Sequence, residues 1–417
     1  MKKTGIMLGF AILSIFGLKA QKHTSGMLPD GDNKWQMVWN DEFDYEDKDL
    51  DKKWDSQNAR SGHILCSRWR ENAVVKDGTL KLVNRKENRG GQEWTSGNIW
   101  TREKFLYGYY ECRYRYAEAT ATNNSFWLMT QGGEPADGKK FEIDINEGHY
   151  PNEVNSNIHN WSDITINADG KKVHPSDSKS FTYGVKADIN IQFEIPITTK
   201  KLRLTSNMNS NLHIREFRAY GVNKFGYPDV FSKTADIDIK DLENYVREKD
   251  VIIKSSGTYH STQNQVSMIA DTYLNSGWNS QKKGKKWLEI EFKESKTLGC
   301  IQVVNGWLDA QGVWNGMATD YKIEYYNGRE WKVISTLDVT EECNFAKDYH
   351  IHGLEWTEDE LIFYLDGKEI RREKNIFCKS PAPIWLSLAI IPWAGAITDA
   401  IDGTAMEVDY VRVYKRK

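Results

Sequence analysis

Proline and cysteine are both scarce in this chain of 417 residues, with 9 and 5 copies. The cysteines, Cys66, Cys112, Cys300, Cys343 and Cys378, are far apart and form no CxxC pair or Cys/His cluster, which argues against a zinc site or a dense disulfide framework. They read either as one or two disulfides in an oxidising compartment or as small buried hydrophobes. Positive charge is not in excess. With 56 Lys+Arg against 59 Asp+Glu and a net charge of -3, the chain has no broad basic field, so a nucleic-acid partner is not expected. No repeat of about 33–47 residues stands out, which sets propellers and solenoids aside. What is abundant is tryptophan: 16 Trp outnumber 15 Phe. So many flat, amphipathic rings need either a core or a ligand to pack on.

Residues 1–20 read as an export signal, with Lys2 and Lys3, an apolar run over 6–18 and Ala20 before Gln21. A short N-terminal anchor is the alternative reading. No later run reaches the ~18 apolar residues of a membrane span. The first cysteine, Cys66, is too late for a lipid anchor, so the expectation is a secreted or periplasmic monomer with no transmembrane segment.

Beyond the leader, short runs rich in Val, Ile, Tyr, Phe and Trp recur at 35–43, 78–83, 107–116, 201–205, 287–292 and 406–414, punctuated by Gly, Asn and Asp. Their period-two alternation predicts an all-β, sandwich-like protein. Between about 163 and 342 the composition turns polar, and 237–249 reads as a charged helix.

The sharpest chemical signal is FEIDINEGHY. On a strand, Phe141, Ile143 and Ile145 share one face, and Glu142 and Asp144 the other. Glu147 has the wrong parity unless a bulge near Ile145 and Asn146 re-aims it onto the acid face. The two Glu then act as residues four apart, roughly 13 Å between Cα atoms at ~3.3 Å per residue. Leaning side chains could bring their carboxyl groups to the ~5–5.5 Å of a retaining glycosidase, with Asp144 between them keeping one Glu protonated. A solvated acidic strand and a calcium site remain alternatives for the string alone.

The surroundings of this strand resemble glycoside hydrolase family 16. WQMVWNDEFD, NAVVKDGTLKLV, SGNIWTREKFLYGYYECRYR, NNSFWLM, YHIHGLEWTEDELIFYLDGKEI and MEVDYVRVYK fall in that family's order around the acidic strand. The resemblance implies a concanavalin-like β-jelly-roll sandwich and retaining, endo-acting hydrolysis of a β-linked polysaccharide of β-glucan or galactan type. It makes Glu142 the nucleophile, Asp144 the assisting acid and Glu147 the acid/base. It places Trp127 and Trp94 along the glycan cleft, Trp94 with core packing as its alternative. His159 and Trp161 are either sugar contacts or core residues. Arg68 and Arg70 could meet an anionic glycan or simply be solvated, and Trp393 resembles a loop aromatic near the cleft. A non-catalytic glycan-binding or adhesion protein, and a transglycosylase, are the rival functions on the same fold.

The resemblance breaks after Trp161 and resumes near Cys343, which predicts a discontinuous catalytic domain, 34–163 and 343–417. The insert, 173–340, resembles the discoidin or coagulation factor type C family. IADTYLNSGWNS…KKWLEIEF and DYKIEYYNGREWKVIS look like its early and middle parts, and FEIPITTKKLRLTSNMNSNLHIREFRAYG, upstream, like its end. The reversed order implies a circularly permuted module, with two incomplete modules as the rival. That family implies a structural calcium at Asp271 and Glu216. No cofactor is expected for catalysis, and Trp307 and Trp314 are candidates for sugar stacking, with core packing as the alternative.

Overall fold

A computed structural model describes residues 28–208, 210–232, 239–260, 264–271, 273–310 and 314–417. The leader read at 1–20 lies outside them. No helix among the described residues is long and apolar enough to cross a membrane.

Two large antiparallel sheets face each other. One runs, from edge to edge, through strands Lys368–Lys374, Glu360–Leu365, His350–Trp356, Gly108–Arg115, Ala405–Arg416, Thr79–Val83 and Ala73–Lys76, with Trp35–Asp41 also paired to Ala405–Arg416. The other runs through Ser176–Thr182, Glu153–Asn160, Phe141–His149, Thr122–Met129, Ile384–Ile390, Asn98–Thr101 and Trp54–Ser56. Alternation explains why they stack. Phe141, Ile143 and Ile145 from one sheet meet Tyr110, Leu354, Trp356 and Val411 from the other in a single buried cluster. The alternation of the closing strand changes phase between Met406/Val408 and Val411/Val413, and the register shifts there, so one bulge keeps all four apolar side chains inward. This is the all-β sandwich anticipated from the strand pattern, with the jelly-roll form that the family resemblance implied.

A third sheet with its own core is built from residues 188–338. Its two longest strands, Asp188–Ser206 and Lys286–Asn305, pair along their length with register shifts after Gln192 and after Thr199. Ile189 and Leu204, from opposite halves of the first strand, and Leu288 and Val303, from opposite halves of the second, enter the same cluster. The two strands therefore bend over their own core as one ribbon shared by two layers. Gly184, at φ +77°, leaves no room for a Cβ against the Cys343 sulfur, and Tyr183 packs on Phe345 at 5.0 Å. Entry and exit of this unit thus lie side by side, the geometry that makes an insertion tolerable.

The structure corrects two sequence expectations here. Ser176–Thr182, assigned to the insert from the break in the family pattern after Trp161 and its polar composition, pairs residue for residue with the strand Glu153–Asn160, so 176–182 belongs to the jelly roll. Edge strands tolerate such polarity because one of their sides is solvated. The helix expected over 237–249 is absent from its described part, which holds only a 3-10 turn, Tyr245–Arg247, capped by the Asn244 side chain. All five cysteines are unpaired; four are buried and Cys343 is half-buried.

Candidate active site

The strand Phe141–His149 lies in the middle of the seven-stranded sheet, so its outward face is flanked by two strands on either side at least. Asp144 lies opposite Trp127, but Asn146 lies opposite Phe126: Ile145 is the extra residue of a bulge, where the spacing of the acids requires one. After it, Glu147 lies opposite Ser125, which has the same parity as Trp127. The bulge thereby returns Glu147 to the face of Glu142 and Asp144. Beneath it, Asn146 is fully buried and donates from Nδ2 to the hydroxyls of Tyr114 (2.6 Å) and Tyr116 (2.9 Å) while its Oδ1 accepts from the Asn155 amide. Gly148 has no space for a Cβ, because the Tyr116 ring lies directly against it.

Each acid has its own holder. Glu147 accepts from Asn123 Nδ2 on one oxygen and from Asn157 Nδ2 on the other, both at 2.7 Å. Glu142 accepts from Trp161 Nε1 at 3.0 Å. Asp144, almost fully buried, is 3.2 Å from His159 Nε2, and His159 Nδ1 is 3.0 Å from His174 Nε2. With Nε2–H donated to Asp144, His159 Nδ1 accepts from His174, so the imidazole is held at both ends. Burial pushes the Glu142 carboxyl up to about 8, the Asp144 charge adding to the effect and His159 and Trp161 opposing it. Burial first, and the Glu147 charge second, hold the Asp144 carboxyl well above the ordinary carboxylate range. Two buried acids this close cannot both ionise at neutral pH. Ligand atoms of Glu142, Asp144 and His159 lie within 4.8 Å of one another, the one such group of three His, Cys, Asp or Glu among the described residues.

The remaining candidates divide. Trp127 stands beside Asp144, half-buried, and donates from Nε1 to Ser387 Oγ at 3.1 Å. Trp393 is 66% exposed, four residues beyond Ala389, which lies opposite the Glu147 partner Asn123. Trp161 is committed to Glu142 and covered by the His174 ring at 3.6 Å. Trp94 is 5% exposed in a satellite cluster with Ile64, Cys66 and Ile390, so its faces are covered, as in the core-packing reading. Arg68 is 6% exposed and donates to Gly97 O; the adjoining chain closes it off from a glycan. Arg70 forms ion pairs with Asp47 and Asp51 and donates to Ala73 O, a structural tie rather than an anion site. Asp271 and Glu216 are likewise engaged: Asp271 accepts from the Tyr273 amide and Ser276 Oγ, and Glu216 pairs with Arg218 inside the core. That donor set does not fit the expected calcium.

Sequence reasoning missed several residues. Trp385 stacks on Trp127 at 4.8 Å and Trp100 packs on Trp385 at 4.5 Å, extending an indole row across three strands. Parity would have flagged Asn123 and Asn157, which share faces with Trp127 and His159. His174, reached through the hairpin Thr165–Ile166 and Lys172–Val173, had no local signal.

The fold and site thus define a β-jelly roll that displays three carboxyl groups on one face of a bulged strand. The family model described as "Glycosyl hydrolases family 16" matches residues 63–193 and 317–412, just over half of the chain, and the chain belongs to that family. The unmatched stretch falls within the third sheet. A beta-glucanase of Rhodothermus marinus is 35% identical over 142 residues, covering 30% of this chain and 48% of the relative. Beta-porphyranase B of Zobellia galactanivorans is 26% identical over 204 residues, covering 45% and 62%. The chain thus spans roughly half to three-fifths of the length of these curated relatives. Among solved structures, the laminarinase catalytic domain of Thermotoga maritima is similar at a TM-score of 0.46 and 16% identity, covering 92% of this chain and 99% of that one.

Proposed function

We propose that this protein is a secreted, retaining, endo-acting β-glycanase that hydrolyses O-glycosidic bonds of a β-glucan or galactan type of polysaccharide. The observation that carries the reading is the placement of Glu142, Asp144 and Glu147 on one sheet face by a bulge at Ile145. A carboxylate of Glu142 attacks the anomeric carbon, and Glu147 gives its proton to the departing oxygen, leaving a glycosyl ester on Glu142. Glu147, now ionised, takes a proton from water, whose oxygen displaces Glu142. Asp144, the deeper acid, keeps the proton the pair shares, so that Glu142 is free to act as the nucleophile. The His174–His159 relay orients Asp144. The indole row beside Asp144 supports the sugar rings, and Trp393 extends the apolar surface near Glu147.

The third sheet is read as a discoidin-like, circularly permuted module that holds the enzyme on polymeric glycan. Its separate core and adjacent ends support an inserted binding unit.

Release of reducing ends from a panel of β-glucans, agars, carrageenans, porphyran and mucin glycans tests the reading. Activity on one of them that disappears in Glu142→Gln is the expected result; binding without cleavage by the unaltered chain would turn the assignment to a glycan-binding protein. Within the active protein, Trp385→Ala should raise KM about tenfold with kcat little changed, the loss of roughly 1.4 kcal/mol of ring contact. Steady-state kinetics on the cleaved glycan reads this split, and a fall in kcat with unchanged KM would remove the indole row from the substrate path.

A further inference from the structure

The third sheet carries a cavity of about 870 Å³, within the range of small-ligand sites. Its walls are aromatic. Phe231 and Trp314 are stacked at 5.3 Å with 27° between planes, and Tyr273, 65% exposed, lines the same space. At this cavity lies Arg215, half-buried, with the Trp307 ring 5.9 Å from its guanidinium carbon. Among the described residues, Nη1 reaches only the Asn275 carbonyl, at 3.3 Å, and the buried Nε has no hydrogen-bond partner.

Among the described residues, no acid pairs with this arginine. Burial alone acts on it, pushing its pKa below the usual arginine value, with no carboxylate to oppose the shift. The acids nearest in sequence to the lining are occupied: Asp271 in its own turn, and Asp309 by Asn315 Nδ2 at 2.9 Å. The position is also built rather than incidental. Gly277, at φ +155°, brings its turn so close that a Cβ there would meet the Arg215 Cα at 2.7 Å and Cδ at 3.0 Å. A half-buried cation without a counter-charge is costly, and an arginine fork matches a sulfate or carboxylate in two parallel hydrogen bonds. Stacked rings beside it suit the apolar face of a sugar.

We propose that this cavity binds an anionic saccharide unit, with its sulfate ester or uronic carboxylate on Arg215 and its ring against Trp314 and Tyr273. The inference rests on the reading of the third sheet as a glycan-binding unit and adds the site and the charge of its ligand. The catalytic face is not involved, so the full-length protein would carry two separately testable glycan contacts.

Affinity electrophoresis of the full chain in gels containing porphyran, polygalacturonate or neutral laminarin tests it, with Arg215→Gln, Arg215→Lys, Trp314→Ala and, for the catalytic face, Trp127→Ala. Arg215→Gln should weaken retention by an anionic polymer at least tenfold, with Arg215→Lys retaining part of it and laminarin retention unchanged. Response to only one of the two anionic polymers would identify the group as sulfate or carboxylate. Cleavage of a short, neutral, soluble substrate should be unaltered in Arg215→Gln, and its circular dichroism and melting should match the parent. Anionic retention lost in Trp127→Ala but intact in Arg215→Gln and Trp314→Ala would overturn the proposal. Retention of neutral polymer that only Trp314→Ala removes would overturn the charge assignment while leaving a glycan-binding module standing. Arg215-dependent retention by a protein that cleaves nothing would keep this site and remove the hydrolase reading.

Discussion

Glu142→Gln should lower kcat by about 10⁴-fold or more on whichever glycan is cleaved, because the covalent step then lacks its nucleophile and the remaining groups cannot supply one. The same substitution should leave the fold intact and raise stability at alkaline pH. The glutamine keeps the shape and can still accept from Trp161 Nε1, as Glu142 does. The sign follows from proton linkage. Burial raises the folded-state pKa of Glu142 from the usual carboxylate range to about 8. Between those limits the unfolded chain has released both protons of the Glu142–Asp144 pair, whereas the folded pair still shares one, carried by Asp144 when Glu142 attacks, so stability falls as pH rises through that window. Removing the group removes that part of the slope. Thermal melts of both proteins from pH 5 to 9 should therefore diverge upward in pH, the variant melting higher at pH 9. Parallel melting curves would show that Glu142 carries no such strain, and residual activity above one part in about 10³ would move the nucleophile elsewhere.

Asn146→Ala is expected to reach activity through backbone geometry. Asn146 touches no substrate in the proposed mechanism, yet its amide holds Tyr114 and Tyr116 under the bulge and its carbonyl oxygen holds Asn155. Truncation removes the donor to both hydroxyls, which keep only their bonds to the Asn124 and Glu153 carbonyls, at about 1–3 kcal/mol of stability. It also frees the segment that aims Glu147, and a displacement of about 1 Å there costs on the order of 10²-fold in kcat. Ile143→Val, one turn of the pleat away in the same core, is the control. It should lose about 0.5–1.5 kcal/mol and keep its kcat. Melting midpoints and kcat measured together decide the matter, since a purely structural Asn146 would lower stability without changing kcat.

Much of the site could be read locally. Apolar residues at 141, 143 and 145 reveal which face is inside, because an alternating strand cannot bury both sets. The offset of Glu147 then demands a bulge, because a half-buried strand cannot leave one acid of a working group in the core. Trp127 is recognisable through the family resemblance of NNSFWLM, just upstream of the acids. The same local logic left Trp94 and Arg70 between alternatives and did not settle Asp271 and Glu216, because their neighbours come from distant chain segments or from turns that composition does not reveal. Trp94 is covered by Ile390 and Arg70 is claimed by Asp47 and Asp51.

The sequence by itself determined the strand character of the chain, the inward and outward faces of its acidic strand, and the need for a bulge near Ile145 and Asn146, since each depends on side chains only a few residues apart. Tertiary structure decided which side chains hold those acids. His174 reaches Asp144 through His159 only because Ser176–Thr182 joins the sheet edge rather than the insert. Trp385 stands beside Trp127 only because a strand about 260 residues later slots between Thr122–Met129 and Asn98–Thr101. Cross-strand register is set by the packing of whole sheets, and no spacing along the chain encodes it.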